Sequence, residues 1–555
     1  MRFRLFAPLA LAFGCGSHPA PPPAAPPPAE LPPATAVEPE PAPPKPLPPP
    51  PPDATGRTYA SWANGAVFYE VFVRSFRDSN GDGMGDLAGL ISKLDYLNDG
   101  DPKTDGDLGV DALWLMPIFV SPSYHGYDTV DYEHIEPDYG TDKDFTRLAR
   151  EAHKRGMHIV VDLVLNHSSD KHPWFLESAS SPKSKKRDYY TWSATDPGWP
   201  QPWNPSGKSW HEKNGSFYYG VFWSGMPDLN YRSPAVRKQA QRIAKLWLDR
   251  GVDGFRLDAT RHLFETGPGD GQSDAPETHV FLKEFAAALR KSHPKAVLIG
   301  ENWTDTPVIA RYFGDTAAVP GGDELPLNFD FPLAGRIIGA ARQGEASVVA
   351  GKIAEMQATY PPGATWVPFL TNHDMKRVAS ELGGDTGKLK SAAAVLLTLP
   401  GTPFLYYGEE VGLRNGPGDE DESKRTPMPW DAESGFTSGT PWRPYSPGRE
   451  TANVAAEAGD PASLLSHYRR LIRARKASTA LQRGRLELLT VEGPVLAYRL
   501  TDGGERVVVA HNLSASEAST VLPEAPSGRP LLGEAALDGG RVTLPPHGSG
   551  AWIVQ

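Results

Sequence analysis

Four polar clusters hold the side chains with which this chain could do chemistry, and each closes a short run of β-branched or aromatic residues. His158-Ile159-Val160-Val161-Asp162 leads to Asn166-His167, and Gly254-Phe255-Arg256-Leu257 leads to Asp258. Val297–Gly300 ends on Glu301-Asn302, and Phe369-Leu370-Thr371-Asn372 ends on His373-Asp374. Asp258, Glu301 and Asp374 are three carboxylates that could converge on one pocket. Retaining cleavage of a glycosidic bond needs such a set: one carboxylate as nucleophile and one protonated carboxyl on the leaving oxygen, ~5–5.5 Å apart. Arg256 stands two residues before Asp258, so along a strand their side chains share a face, and its positive charge keeps Asp258 ionised. Glu301, beside two negative charges, is expected to have a raised pKa and to start protonated. One such residue alone is most simply a helix N-cap or a satisfied buried group. Four clusters at successive strand ends are not explained that way.

The elements that must position these residues follow from periodicity. Candidate strands are 67–73, 112–117, 158–164, 254–257, 297–300, 327–331, 366–370 and 402–406, and helical periods fill 143–155, 235–250, 277–292, 347–358 and 388–399. Eight strands with intervening helices predict an α/β fold, a (β/α)8 TIM barrel, whose catalytic groups sit on loops at the C-terminal ends of the strands. The barrel is assigned to 57–166 and 234–478. A polar, aromatic insertion after the third strand, 167–233, reads as a subdomain, and the short strands of 479–555 as an all-β sandwich after the helix 464–475.

Composition narrows the partners. The chain has 39% apolar and 22% charged residues, and its net charge of −11 disfavours a nucleic-acid partner. The fourteen Trp suit the flat apolar faces of sugar rings, though they are equally core material. Cys15 is the single cysteine, so no intramolecular disulfide forms. Two arginines within Met1–Arg4 and the apolar run Leu5–Phe13 read as a signal peptide, 1–14, too short to span a bilayer. The stretch resembles a bacterial lipoprotein signal with Cys15 as the lipidated residue, which implies an exported, cell-envelope lipoprotein; a plain signal peptide would make the chain a secreted protein. Between Pro19 and Pro52, nineteen of thirty-four residues are proline. The segment 15–56 is therefore expected to be a polyproline II tether, reaching roughly 100 Å.

The four clusters resemble the diagnostic regions of the α-amylase family, glycoside hydrolase family 13. D-L-V-L-N-H (Asp162–His167), G-F-R-L-D-A-T-R-H (Gly254–His262), G-E-N (Gly300–Asn302) and T-N-H-D (Thr371–Asp374) occur in the family's order and spacing. The resemblance extends from about Ala60 to the C-terminus. It implies that Asp258 is the nucleophile, Glu301 the acid/base and Asp374 a third carboxylate stabilising the transition state. It also implies that His167, Arg256 and His373 contact the sugar, that Tyr127 of H-G-Y-D stacks under the ring, and that Asp128 is a hydroxyl ligand. Asp78, Asn80, Asp82, Met84 and Asp86 resemble the first half of an EF-hand, but Gly89 stands where the bidentate glutamate belongs. The loop is closer to the calcium loop after the first strand of oligo-1,6-glucosidase-like relatives, with Met84 giving its backbone carbonyl, and so implies Ca²⁺.

Family membership leaves the bond open. Ala259 after the nucleophile goes with α-1,4 rather than α-1,6 preference in relatives, and Met226-Pro-Asp-Leu-Asn230 with neopullulanases and intermediary amylases. Arg425-Thr-Pro-Met-Pro-Trp-Asp431 matches the oligo-1,6-glucosidase side. The chain thus resembles the group between the two, and an endo- or mixed-acting hydrolase of α-1,4-glucans and maltooligosaccharides is expected. Two rivals stand beside it. One is an exo-acting α-glucosidase, oligo-1,6-glucosidase or neopullulanase-like enzyme; the other is a non-catalytic glucan-binding lipoprotein, which typically lacks the carboxylates this chain keeps.

Overall fold

A computed structural model describes residues 61–433, 435–523, 529–533 and 535–554. The expected signal peptide, Cys15 and the proline-rich tether lie outside them. No helix among the described residues is long and apolar enough to cross a membrane.

Seven parallel strands form the central sheet, in chain order Phe68–Val71, Ala112–Leu115, His158–Leu163, Gly254–Leu257, Val297–Gly300, Leu327–Asn328 and Phe404–Tyr406. The last strand pairs with the first, Phe68 opposite Phe404. The remaining gap is closed by the segment 365–370, which bridges Leu327 through Thr365 on one side and Phe404 through Phe369 on the other. This eighth stave was expected as a regular strand but makes only isolated bridges. Pro368 lies within it and has no amide hydrogen to continue a ladder. The sheet thereby closes as the expected (β/α)8 barrel.

The expected strand 327–331 is also shorter than its apolar content suggested. It ends at Asn328, because Asp330 caps a helix, Phe331–Gln343, by accepting from the amide of Leu333, with Pro332 in the first turn. The other expected helices form within a residue or two of their bounds. Asp142–Lys154 begins with a reciprocal capping box between Thr141 and Asp144 and buries Phe145, Leu148, Ala149 and Ala152 at helical spacing.

Strand residues alternate between two cores, as a closed parallel sheet covered by helices requires. Phe68, Ala112, Trp114, Val160, Val297, Ile299 and Leu327 fill the barrel interior. Tyr69, Leu113, Leu115, Ile159, Val161, Phe255 and Leu298 face the helices. The inward row continues, two residues on, to Glu70, Asp162, Arg256 and Glu301. One alternation thus fills the barrel with hydrocarbon below and lines its C-terminal mouth with charge above.

After the third strand come the helix Pro173–Ser180 and two small antiparallel sheets, one of which contains Trp210–Lys213 and Ser216–Tyr219. Beyond the helix Leu464–Lys476, antiparallel sheets of five and three strands form the C-terminal unit. There too one alternation makes two contacts. Val495, Ala497, Val508 and Trp552 pack within this C-terminal unit, while Leu496, Tyr498, Val507 and Val509 join the main core.

Candidate active site

Arg256 is fully buried on the fourth strand and organises the mouth of the barrel. Its Nη1 donates to Asp258 Oδ1 at 2.7 Å and to Asp162 Oδ1 at 2.9 Å, and its Nη2 meets Glu301 Oε1 at 2.9 Å. Register explains the clamp. Arg256 lies opposite Asp162 on one neighbouring strand and opposite Ile299 on the other, so Glu301 stands two residues further up. One guanidinium thus holds the two carboxyl groups side by side. Glu301 Oε2 also accepts the amide of Ala259 at 2.9 Å, and Ala259 takes a left-handed conformation, φ 48°, to present it. Non-glycine residues in that region persist where the surroundings fix them, often at functional sites.

Asp374 arrives from the loop after the 365–370 stave. Arg425 Nη2 donates to its Oδ1 at 2.8 Å, and His373 Nε2 lies 3.1 Å from its Oδ2. The buried carboxylate of Glu70 holds the other nitrogen of His373 at 2.6 Å. Tyr127 places its hydroxyl 2.6 Å from His373 Nε2 and donates to Asp162 Oδ2 at 3.0 Å.

The three carboxylates stand in different environments. Burial pushes the Glu301 carboxyl up to about 7, against the pull of Arg256 and with help from Asp258 and Asp374. Burial would also raise Asp374, but His373 and then Arg425 outweigh it and hold that group well below the usual carboxylate range. Burial would lower His373, but Asp374 and Glu70 on its two sides raise it to about 9, so at neutral pH it is an imidazolium donating from both nitrogens. At pH 7 Asp374 is therefore an anion, whereas Glu301 is half protonated. His167 is the converse case, its pKa lowered by burial. Its Nδ1 faces Asn166 Oδ1 at 3.0 Å, an atom that only accepts, so Nδ1 carries the proton. Nε2, buried without a partner, is left as an acceptor at the pocket wall.

The pocket above these groups encloses about 880 Å³ and is lined by Tyr127, His167, Asp258, Glu301 and Asp374. Ala259 and Met226 lie on its wall. So do Trp203, Trp223 and Trp303, each about half exposed, at 50%, 50% and 51%. The three indoles give the pocket wall a broad, half-exposed apolar surface.

Asp128 and the 78–86 loop are tied into local hydrogen-bond networks. Asp128 is buried, and its Oδ1 accepts the hydroxyls of Ser121, at 2.7 Å, and Ser123. In the 78–86 loop, Asp78 accepts the amides of Asn80, Gly81 and Gly83 at 2.8–2.9 Å, and Asp86 accepts those of Ser79 and Gly89 at 2.8 and 2.7 Å. Asn80 and Asp82 meet side chain to side chain at 2.9 Å, while Met84 Sδ receives Arg74 Nη1. The donor set is all oxygen, as Ca²⁺ prefers. Among the described residues no group of three or more His, Cys, Asp or Glu side chains is already arranged to hold a metal ion. The glycines have a packing reason as well: a Cβ on Gly83, at φ +93°, would lie 2.0 Å from the carbonyl oxygen of Thr440.

Sequence reasoning missed Glu70 and the three indoles, and named Asp162 and Arg425 only as members of motifs, without a role in the site. Glu70 and Asp162 lie on strands with the inward parity of Phe68 and Val160, which is the signal that could have found them. Arg425 comes from 51 residues beyond Asp374, and its motif gave no sign that the two meet.

A parallel barrel whose mouth holds a clamped carboxyl pair, a third carboxylate and an aromatic rim defines a glycoside-processing enzyme of the barrel type. Comparison with known proteins makes this specific. Residues 70–484 match the model of the alpha amylase catalytic domain, and 482–551 match a domain of unknown function, DUF3459. The chain belongs to the alpha-amylase family of glycoside hydrolases. It is 41% identical to alpha-amylase 3 of Dictyoglomus thermophilum over 82% of this chain and 86% of that protein. It is 38% identical to a trehalose synthase/amylase of Mycolicibacterium smegmatis, covering 82% and 85%. The crystal structure of an alpha-amylase from H. orenii superposes with a TM-score of 0.80 at 38% identity, covering 89% of this chain and all of that one.

Proposed function

We propose that this chain is a retaining α-glucan hydrolase that cleaves α-1,4 bonds in starch, glycogen or maltooligosaccharides by double displacement. The observation that carries the reading is the Arg256 clamp, which holds Asp258 and Glu301 side by side while burial keeps Glu301 protonated near neutrality. Asp258 attacks the anomeric carbon as Glu301 gives its proton to the departing glycosidic oxygen. The ester on Asp258 is then hydrolysed by water, whose proton returns to Glu301. Asp374, held anionic by His373 and Arg425, stabilises the positive charge developing on the ring. His167 Nε2, Arg256 and His373 surround the sugar, with Tyr127 beneath it.

The open pocket and its three indoles favour a substrate longer than a disaccharide, hence endo- or mixed action. Ala259 and Met226 on the wall favour α-1,4 bonds. A relative named trehalose synthase/amylase supports a second reading, in which the glucosyl unit passes to another sugar rather than to water. The 78–86 loop takes Ca²⁺ in this reading, through Asp78, Asn80, Asp82, Asp86 and the carbonyl of Met84, as a brace away from the reacting atoms. Lipidation at Cys15 would hold the enzyme at the cell envelope.

The test is a time course on maltoheptaose with the full chain, following products and anomers, with Asp258→Asn alongside. Mixed maltooligosaccharides released first as α-anomers, and absent in the variant, support the reading. Glucose alone from the first turnover moves it to an α-glucosidase. Trehalose formed from maltose moves it to the second reading. No turnover of any α-glucan would end it.

A further inference from the structure

The pocket wall contains a second ion pair that hydrolysis does not use. Arg261 lies in the turn Thr260–His262, three residues after Asp258. Its Nε donates to Asp274 Oδ1 at 3.0 Å, its Nη2 pairs with Oδ2 of the same carboxylate, and its Nη1 donates to the backbone carbonyl of Trp303 at 2.7 Å. Tyr312 gives its hydroxyl to Asp274 Oδ1 at 2.7 Å, and the Asp274 amide donates to the Arg261 carbonyl at 2.8 Å. Asp274 is one of four non-glycine residues with positive φ among the described residues, at 55°, a conformation that lasts only where the surroundings hold it. A surface ion pair needs no such framework.

What the framework holds is Trp303. Its indole lies flat on Phe331, with centroids 4.4 Å apart and 11° between planes, and leaves half its surface in the pocket. Trp303 stands two residues past Glu301, the group that protonates the leaving oxygen. It lines the same pocket as Glu301.

We propose that the Arg261–Asp274 pair is a positioning device for this acceptor platform, and that it sets how the glycosyl unit on Asp258 is divided between water and a second saccharide. The inference rests on the double-displacement reading above. In the transfer step the bond between Asp258 and the anomeric carbon breaks. The acceptor hydroxyl oxygen bonds to that carbon, and its proton goes to the Glu301 carboxylate. The acceptor is a glucosyl saccharide whose apolar face stacks on the indole. Water needs no platform, so loosening Trp303 penalises transfer selectively.

The experiment feeds the full chain α-maltosyl fluoride, whose leaving group occupies no sugar site, with and without added maltose. Transfer and hydrolysis products are counted from the same intermediate, so their ratio is independent of how much enzyme is folded. In Arg261→Met the ratio of transfer to hydrolysis is expected to fall about tenfold, as loss of a charged hydrogen bond would give. Trp303→Ala lowers the ratio likewise, and Arg261→Lys restores part of it. An unchanged ratio in Arg261→Met, including a parallel loss of both products, overturns the proposal. Asp258→Asn abolishes both products; were it to keep them, the double-displacement reading would fall and this inference with it.

Discussion

Raising the pH through neutrality should switch this enzyme off by discharging Glu301. An ordinary glutamate titrates near ~4.3, and at pH 7 only about one in 500 such groups would hold a proton. Burial lifts Glu301 to about 7, so half the molecules carry the proton that the first step requires. The group must be protonated to act as acid, so activity falls as pH rises, and one unit above the midpoint about a tenth remains. The assay is kcat/KM for maltoheptaose between pH 4 and 9, because that ratio reports the free enzyme. The Asp374→Asn variant checks the cause. It removes a negative neighbour that raises Glu301, so the alkaline limb of its much lower activity should move to lower pH, by up to about one unit. A limb above pH 9 in the parent, or a shift in the opposite direction in the variant, would refute the electrostatic assignment.

Three further outcomes follow from other groups. Glu70→Gln removes one of the two carboxylates flanking His373, so the imidazolium should lose its proton at lower pH, which NMR of labelled histidine reads directly. Burial raises the Glu409 carboxyl from 4.5 to about 8, so the folded state keeps a proton that the unfolded chain releases. Stability contributed by that group is present below about 4.5 and is lost as pH rises to about 8, and Glu409→Gln should flatten the fall of Tm across that window. Chelation of Ca²⁺ should lower Tm while leaving the pH of the alkaline limb unchanged, and Asp82→Ala should make Tm insensitive to the chelator.

Much of this was legible because barrels place chemistry at strand ends. Asp258, Glu301 and Asp374 could be located once the strands 254–257 and 297–300 and the 366–370 segment were drawn, since each closely follows the C-terminal end of its segment, where barrels carry their chemistry. Local patterns were less informative where tertiary contacts decide. Apolar content could not distinguish a strand through Phe331 from the helix that Asp330 caps there. The 366–370 segment looked like any other strand, although it joins its neighbours by bridges alone. That Ser121 and Ser123 both donate to Asp128 Oδ1 could not be read from the H-G-Y-D spacing. Trp203, Trp223 and Trp303 have no periodicity to mark them, and only their half exposure around one pocket does so. Arg425 needed the fold itself, which brings a distant loop over Asp374.

The central claim, that Asp258 becomes glycosylated beside a protonated Glu301, is tested most directly by trapping the intermediate. A 5-fluoro-α-glucosyl fluoride slows departure of the sugar from the enzyme, and peptide mapping by mass spectrometry then locates it. One fluoroglucosyl unit on the peptide containing Asp258, absent in Asp258→Asn, is the expected result. A label on another residue, or no label from an enzyme whose products are β-anomers, would contradict the account.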